Sequence, residues 1–161
     1  MAVDYFLKID GIEGESKDDK HKNEIDVESW SWGETQTGAS GFGGGGGAGK
    51  VSMQDFHFVM KMNKASPKLF LACATGQHIK EAKLTCRKAG GKQEEYFSVK
   101  FSDLLVSSYQ TGGSSGGDAI PMEQISLNYS KIETEYKPQK EDGSLDAAMK
   151  AGYDLKANKK I

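Results

Sequence analysis

No stretch of this chain stays apolar long enough to span a bilayer, so membrane insertion is not expected. The opening residues Met1-Ala2-Val3-Asp4-Tyr5-Phe6 carry neither a basic leader nor a long apolar run, so a removable signal peptide is not expected either. Cysteine occurs twice, at Cys73 and Cys86, which is too few for a disulfide framework. Both sit in apolar patterns, as buried, reduced thiols of a protein folding in the cytoplasm would. The 3 prolines are far outnumbered by 20 glycines, and the glycines cluster without a period of three, which excludes collagen. Charge is close to balance, with 21 basic and 23 acidic residues, so nothing electrostatic points to nucleic acid.

Catalytic patterns are scarce as well. His21, His57 and His78 form no pair at zinc-ligand spacing, and there is no C-x-x-C. No G-x-S-x-G elbow is present. The apolar settings of Cys73 and Cys86 would raise a thiol's pKa, which argues against a nucleophile. We therefore expect no enzyme, and no catalytic, cofactor-binding or metal-binding residues. The 161 residues suit one domain, and a hydrophobic share of 37% allows one core without surplus. Other copies of the chain could cover some of its surface.

What is present is period-two alternation. Val3, Tyr5, Leu7 and Ile9 share one face of a first strand, and the polar stretch from Asp10 to Asn23 reads as a loop. The next strand runs roughly from Glu24 to Gly33. Its apolar parity changes from Ile25 and Val27 to Trp30 and Trp32, which predicts a bulge or bend. Phe56, Phe58, Met60 and Met62 form another strong strand. Ser66-Pro67 reads as the N-cap residue and first-turn proline of a short helix, with Leu69, Phe70 and Cys73 plugging an open barrel end and Gly76 as the stop. Further strands follow around Leu84, Phe97 and Leu104. Another starts at Ile125 and changes parity by Ile132, and a last short one lies at Tyr153-Leu155. Ala89-Gly90-Gly91-Lys92 is a hairpin turn, and the basic tail from about residue 156 to 161 is expected to be flexible. Eight to ten short strands with one helix predict a barrel or sandwich.

Residues 33–50 form an extended glycine-rich connection whose one large hydrophobe is Phe42. Gly44-Gly45-Gly46-Gly47-Ala48-Gly49-Lys50 matches most of a phosphate-binding loop. However, Val51 follows the lysine where a magnesium-binding hydroxyl is needed, and a strand pattern follows where a helix is needed. Ser31, bracketed by Trp30 and Trp32, points away from their face. It is either the polar side of an ordinary strand or part of a binding surface, and the motif does not separate these.

The order of segments is more specific than any one of them. Tyr5 to Ile9 leads through Gly14-Glu15-Ser16-Lys17-Asp18 to Ser29-Trp30-Ser31-Trp32-Gly33. Ser66-Pro67-Lys68-Leu69, Ala72-Cys73-Ala74-Thr75-Gly76, Arg87-Lys88-Ala89-Gly90-Gly91 and Glu133-Thr134-Glu135-Tyr136-Lys137-Pro138 follow. This series, over nearly the whole chain and weakest after Ala147, resembles the haemolysin-coregulated protein (Hcp) family of bacterial type VI secretion. The resemblance implies a mainly β fold: a small β-barrel of two antiparallel sheets with one short α-helix, as a single domain over residues 1–161. It also implies a homohexameric ring, with rings stacked into the inner tube of a contractile injector. Such a tube leaves the cell inside a contracting sheath, behind a spike protein, and shelters effector proteins in its lumen. By position, the lumen-facing strand falls on Glu28, Ser29 and Ser31. Contacts to neighbouring subunits and rings fall on Gly41, Phe42, Gly43, Gly44, Gly45, Gly46, Gly47, Ala48 and Gly49, and on the turn at Gly90 and Gly91. The protein would assemble in the cytoplasm and be secreted. A phage-type tail tube, a nucleotide hydrolase using Lys50 and a cysteine hydrolase are the competing readings.

Overall fold

The structure is a computed structural model that describes residues 2–38, 48–117 and 119–161. In chain order its elements are β1 (Val3–Ile9), β2 (Ile25–Val27), β3 (Ser29–Ser31), β4 (Glu34–Gly38), β5 (Ala48–Met53), β6 (Phe56–Lys61) and α1 (Ser66–Thr75). They continue as β7 (Ile79–Lys88), β8 (Glu95–Thr111), β9 (Met122–Tyr136), β10 (Met149–Asp154) and β11 (Lys159–Lys160).

The parity change between Ile25 and Trp32 is a bend. Ile25 and Val27 are buried and pair with Leu7 and Tyr5 of β1. Beyond Glu28 the chain leaves β1, and Trp30 pairs with Phe58 of β6. The Glu28 N–H, at the corner, donates to the Val59 carbonyl at 2.8 Å.

The expected barrel of two sheets is corrected. One antiparallel sheet of nine strands runs β11-β10-β9-β8-β7-β1-β2, with β6 on β9 and β3 on β6. It does not close into a barrel. β2 pairs with β1 and β3 with β6, so covalent chain at Glu28, and not a ladder, joins the two ends. β9 changes partner along one edge, meeting β6 from Met122 to Leu127 and β10 from Lys131 to Tyr136. Twist accumulating along so long a strand turns its two halves toward different neighbours. Its buried parity switches accordingly, from Ile125, Leu127 and Tyr129 to Ile132.

The core is aromatic. Phe56, Phe58 and Phe101 are fully buried, with ring centroids 4.7 Å apart for Phe56–Phe101 and 4.9 Å for Phe101–Tyr129. Each such side chain contributes about 1.5–3 kcal/mol by leaving water. Cys86 is buried there too, and burial pushes its thiol up to about 12, whereas Cys73 is half-buried.

Helix α1 departs from expectation twice. Leu69 and Ala72 are buried, but Phe70 is 58% exposed and only meets Tyr109 edge-on, at 6.2 Å. On a short helix lying on β8, the buried stripe is one residue wide and Phe70 falls about 100° round from Leu69. Ser66 is also not the cap: Ala65 precedes the helix, and the Ser66 hydroxyl donates to buried Glu123 at 2.5 Å. Gly76 does end the helix, in the left-handed region at φ 64°. No helix among the described residues is long and apolar enough to cross a membrane.

The loop from Asp10 to Asn23 is held by backbone bonds, including Gly14 N–H to Asn23 O at 2.8 Å and Ser16 N–H to Glu24 O at 3.0 Å. At Gly14 an added Cβ would stand 2.6 Å from the Glu24 carbonyl oxygen and 2.7 Å from the Ile25 Cα. Gly14→Ala should therefore cost about 1–3 kcal/mol by forcing two backbones apart. Urea denaturation checks this, and an unchanged midpoint would refute it. Within residues 156–161, expected as a flexible tail, β11 pairs Lys159 with Asp154 and Lys160 with Tyr153.

Candidate functional site

Four strands present one polar face. Their register aligns Ser31 of β3 with His57 of β6, His57 with Ser126 of β9, and Ser126 with Ser108 of β8. Ser29, Val59, Gln124 and Gln110 form the adjacent row in the same way. The alternation that drives Trp30, Phe58 and Ile125 inward sends these side chains outward.

A bulge in β8 makes the alignment possible. Val106 pairs with Leu127 and Ser108 with Ser126, so Ser107 is the extra residue. The Ser107 hydroxyl donates to Asp55 Oδ2 at 2.7 Å, and Asn128 Nδ2 donates to Asp55 Oδ1 at 2.9 Å. That carboxylate ties the bulge to the start of β6. Within the first row the Ser108 hydroxyl donates to Ser126 Oγ at 2.7 Å, and Ser126 Oγ lies 2.7 Å from His57 Nδ1. Together the rows line an open depression of about 380 Å³. None of the described residues lining it is Asp, Glu, Lys or Arg.

Of the expected lumen residues, Ser29 and Ser31 lie in this depression and Glu28 does not. Glu28 is exposed at the β2–β3 corner near Asp26. The Asp26 carboxyl is pushed up by burial first, then by the negative charges of Asp4, Glu28 and Asp18. Alternation puts His57, between Phe56 and Phe58, on the outward face of β6, but nothing in the sequence connects it to Ser31. Ser108, Gln110, Gln124 and Ser126 were missed. Alternation marks each as outward, but nothing in it says that β6 and β9 lie beside β3.

The segment read as an extended loop begins and ends as a ribbon. Glu34 pairs with Met53, Thr35 with Ser52, Gln36 with Val51 and, after a register shift, Gly38 with Ala48. The ribbon is hydrogen-bonded as its own two-stranded sheet, and Met53 at its end packs against the core. At its base, Gln54 N–H donates to the Gly33 carbonyl at 2.9 Å. Ala48 and Gly49 open β5. Gly41, Phe42, Gly43, Gly44, Gly45, Gly46 and Gly47 lie outside the described residues. Lys50 stands within a strand and not at a helix N-terminus, so it has no phosphate-cradling backbone behind it. Gly90 and Gly91 form the β7–β8 turn at φ 83° and 59°, a left-handed pair that residues with a Cβ rarely adopt.

The fold and this site define a mainly β protein with one helix, an open uncharged face and a separate two-stranded ribbon. Comparison with known proteins makes this specific. The family described as "Type VI secretion system effector, Hcp" matches residues 6–136. Protein hcp1 of Pseudomonas aeruginosa is 50% identical over 160 residues, covering 98% of each chain. The crystal structure of Hcp1 from Salmonella typhimurium superposes with a TM-score of 0.82 at 42% identity, over 100% of both chains. A structure described as a type six secretion system protein gives a TM-score of 0.93 at 33% identity, covering 99% of this chain and 100% of that one. The chain belongs to the Hcp family. It is a structural subunit of the type VI secretion tube, in a family of secreted tube proteins and not of enzymes.

Proposed function

We propose that six copies close into a ring with the Ser31–His57–Ser126–Ser108 face turned inward, and that rings stack into a tube carrying effector proteins in its lumen. The observation that carries this reading is the bare face: small uncharged side chains on four neighbouring strands that no other described element of the chain covers. A closed ring needs a heterologous interface, in which two different patches of the protomer meet. The free edges of the β4–β5 ribbon supply one patch, through backbone hydrogen bonds to a neighbour. The exposed Phe70 and Leu71 of α1, 58% and 57% accessible, supply apolar area for the other. In this reading Ser29 and Ser31 line the lumen, Glu28 sits at its rim, and Gly41 to Gly49 and the Gly90–Gly91 turn make the contacts between subunits and rings. The sheath encloses the tube and a spike protein tips it. Assembly takes place in the cytoplasm, and export is through the secretion machine.

Negative-stain microscopy of the purified protein tests this directly, with six-fold rings as the expected image. A sample that stays monomeric at high concentration would overturn it. Ser31→Gln should lower cargo retention by about tenfold while rings persist, because it fills part of the depression with a longer side chain. Immunoblotting of one co-expressed effector checks this, and equal effector levels in both strains would remove Ser31 from the site.

A further inference from the structure

We infer that the depression between β3, β6, β9 and β8 recognises uncharged, hydrogen-bonding segments of the cargo, and so binds in a salt-independent way; this rests on the lumen reading above. The same long strands show how unusual the neutral stretch is. One half of β8 and β9 carries charge in register: Lys83 opposite Lys100, and Lys100 opposite Glu133. Lys100 Nζ lies 3.1 Å from Glu81 Oε1 and 3.5 Å from Glu133 Oε2. Charged residues make up 27% of the chain. Yet on the other half of these two strands, where they meet β6 and β3, the lining of the depression has none.

Chemistry follows from that difference. A charged cargo group entering the depression would lose hydration without meeting an opposite charge, which is unfavourable. An amide, hydroxyl or peptide backbone can trade its water for Ser29, Ser31, Gln110 and Gln124, whose side chains offer both donors and acceptors. The Ser108–Ser126–His57 chain of contacts fixes part of the row in advance, so fewer rotamers are lost on binding. Val59 and the floor beneath it add apolar contact for the stem of such a group. Single sites of this kind are weak, and a ring would repeat the site in each subunit, so that retention comes from multivalency and release needs no chemical step.

The test uses the purified full-length protein and three equal-length peptides rich in Ser, Asn and Gln, in Lys, or in Glu. Each carries an uncharged benzophenone, and cross-links are mapped by mass spectrometry. The uncharged peptide should cross-link to β3, β6 and β9, and its yield should change less than about twofold between roughly 0.1 M and 1 M salt, although screening lengths fall from ~10 to ~3 Å. Gln124→Lys and, on a different strand, Ser29→Asp should each cut that yield by about tenfold with the β spectrum unchanged. The inference is overturned if a charged peptide is preferred, if yield falls steeply with salt, or if both variants bind the uncharged peptide as wild type does. Cross-linking of the depression to a second copy in place of peptide would also overturn it. Microscopy of the same samples judges the ring separately: absent rings would remove the tube reading, whereas the peptide preference is read on each subunit's own depression.

Discussion

Arg87→Ala is expected to destabilise the protomer by about 2–4 kcal/mol. Arg87 is 3% exposed, yet it lies on the outer face of β7, opposite Asp4 of β1. The loop after β1 covers it. Its guanidinium donates to both Asp18 oxygens at 2.8 and 2.9 Å and to Asp4 Oδ2 at 3.0 Å, so a loop carboxylate and a strand carboxylate share one cation. The same guanidinium stands 4.8 Å over the Phe6 ring, and His21 stacks on that ring at 4.4 Å and 7°. His21 in turn lies between Glu24 and Glu95, at 2.9 and 2.6 Å. Alanine removes the fork, the ring contact and the aliphatic stem together. It leaves Asp4 and Asp18 facing each other beneath the loop. Because both carboxylates keep some contact with water, the cost stays below that of a fully buried broken pair.

The pH dependence follows from the same contact. The Arg87 hydrogen bond, the largest influence, holds Asp18 down to about 2 against an ordinary 3.8. Between those values the unfolded chain takes up a proton and the folded one does not, so stability falls as pH drops through that window. Above about pH 5 the contribution is complete. Urea melts should show a shallower loss of stability on acidification in Asp18→Asn than in wild type. Arg87→Lys, which keeps charge without the fork, should fall between alanine and wild type. An Arg87→Ala midpoint within about 0.5 kcal/mol of wild type would show that the loop is held by its backbone bonds alone.

Much of this fold is legible in the sequence because alternation reports burial. Ile25 and Val27 against Trp30 and Trp32 mark the corner at Glu28, and with it the outward direction of Ser29 and Ser31. What stays hidden needs information on neighbours. Phe6 has outward parity in β1 but is 4% exposed, because a loop covers it. Phe70 fits the helical stripe and yet faces out, since α1 turns Ser66, Leu69, Ala72 and part of Cys73 toward the sheet. Glu123 shares the inward parity of Ile125 and Leu127 but carries a carboxylate; it is fully buried because it accepts hydrogen bonds from the Ser66 and Tyr109 hydroxyls, partners that alternation does not reveal. Burial, and then that bond, push the Tyr109 hydroxyl up to about 12. The candidate site divides the same way. Each strand's polar side is readable, but the row from Ser31 to Ser108 exists only once β6 and β9 are placed between β3 and β8.

Replacing residues 39–47 with a two-residue Asn-Gly turn should raise the concentration needed for tube formation at least about tenfold while leaving the protomer folded. Gly38 and Ala48 are paired, so this cut keeps the β4–β5 ladder, whereas removal through Gly49 would also take the first residues of β5. Asn-Gly suits a tight hairpin whose twist matches the flanking strands. If the glycine-rich segment contributes only by linking the two strands, the shortened ribbon should assemble as well as wild type, since a shorter closure is entropically cheaper. If its backbone bonds to a neighbouring ring, the variant loses those bonds, and the concentration needed for tubes should rise at least about tenfold, equivalent to roughly 1.4 kcal/mol per subunit. Phe42 separates two forms of the second case. Phe42→Ala should reproduce most of the loss when that ring is the anchor, and little of it when the contact is made by backbone alone. Sedimentation and negative-stain imaging of the three proteins at matched concentrations distinguish these outcomes, with the far-UV spectrum confirming the fold. Tubes of unchanged length and yield from the shortened ribbon would exclude this segment from assembly and shift the burden of stacking to the turn at Gly90 and Gly91.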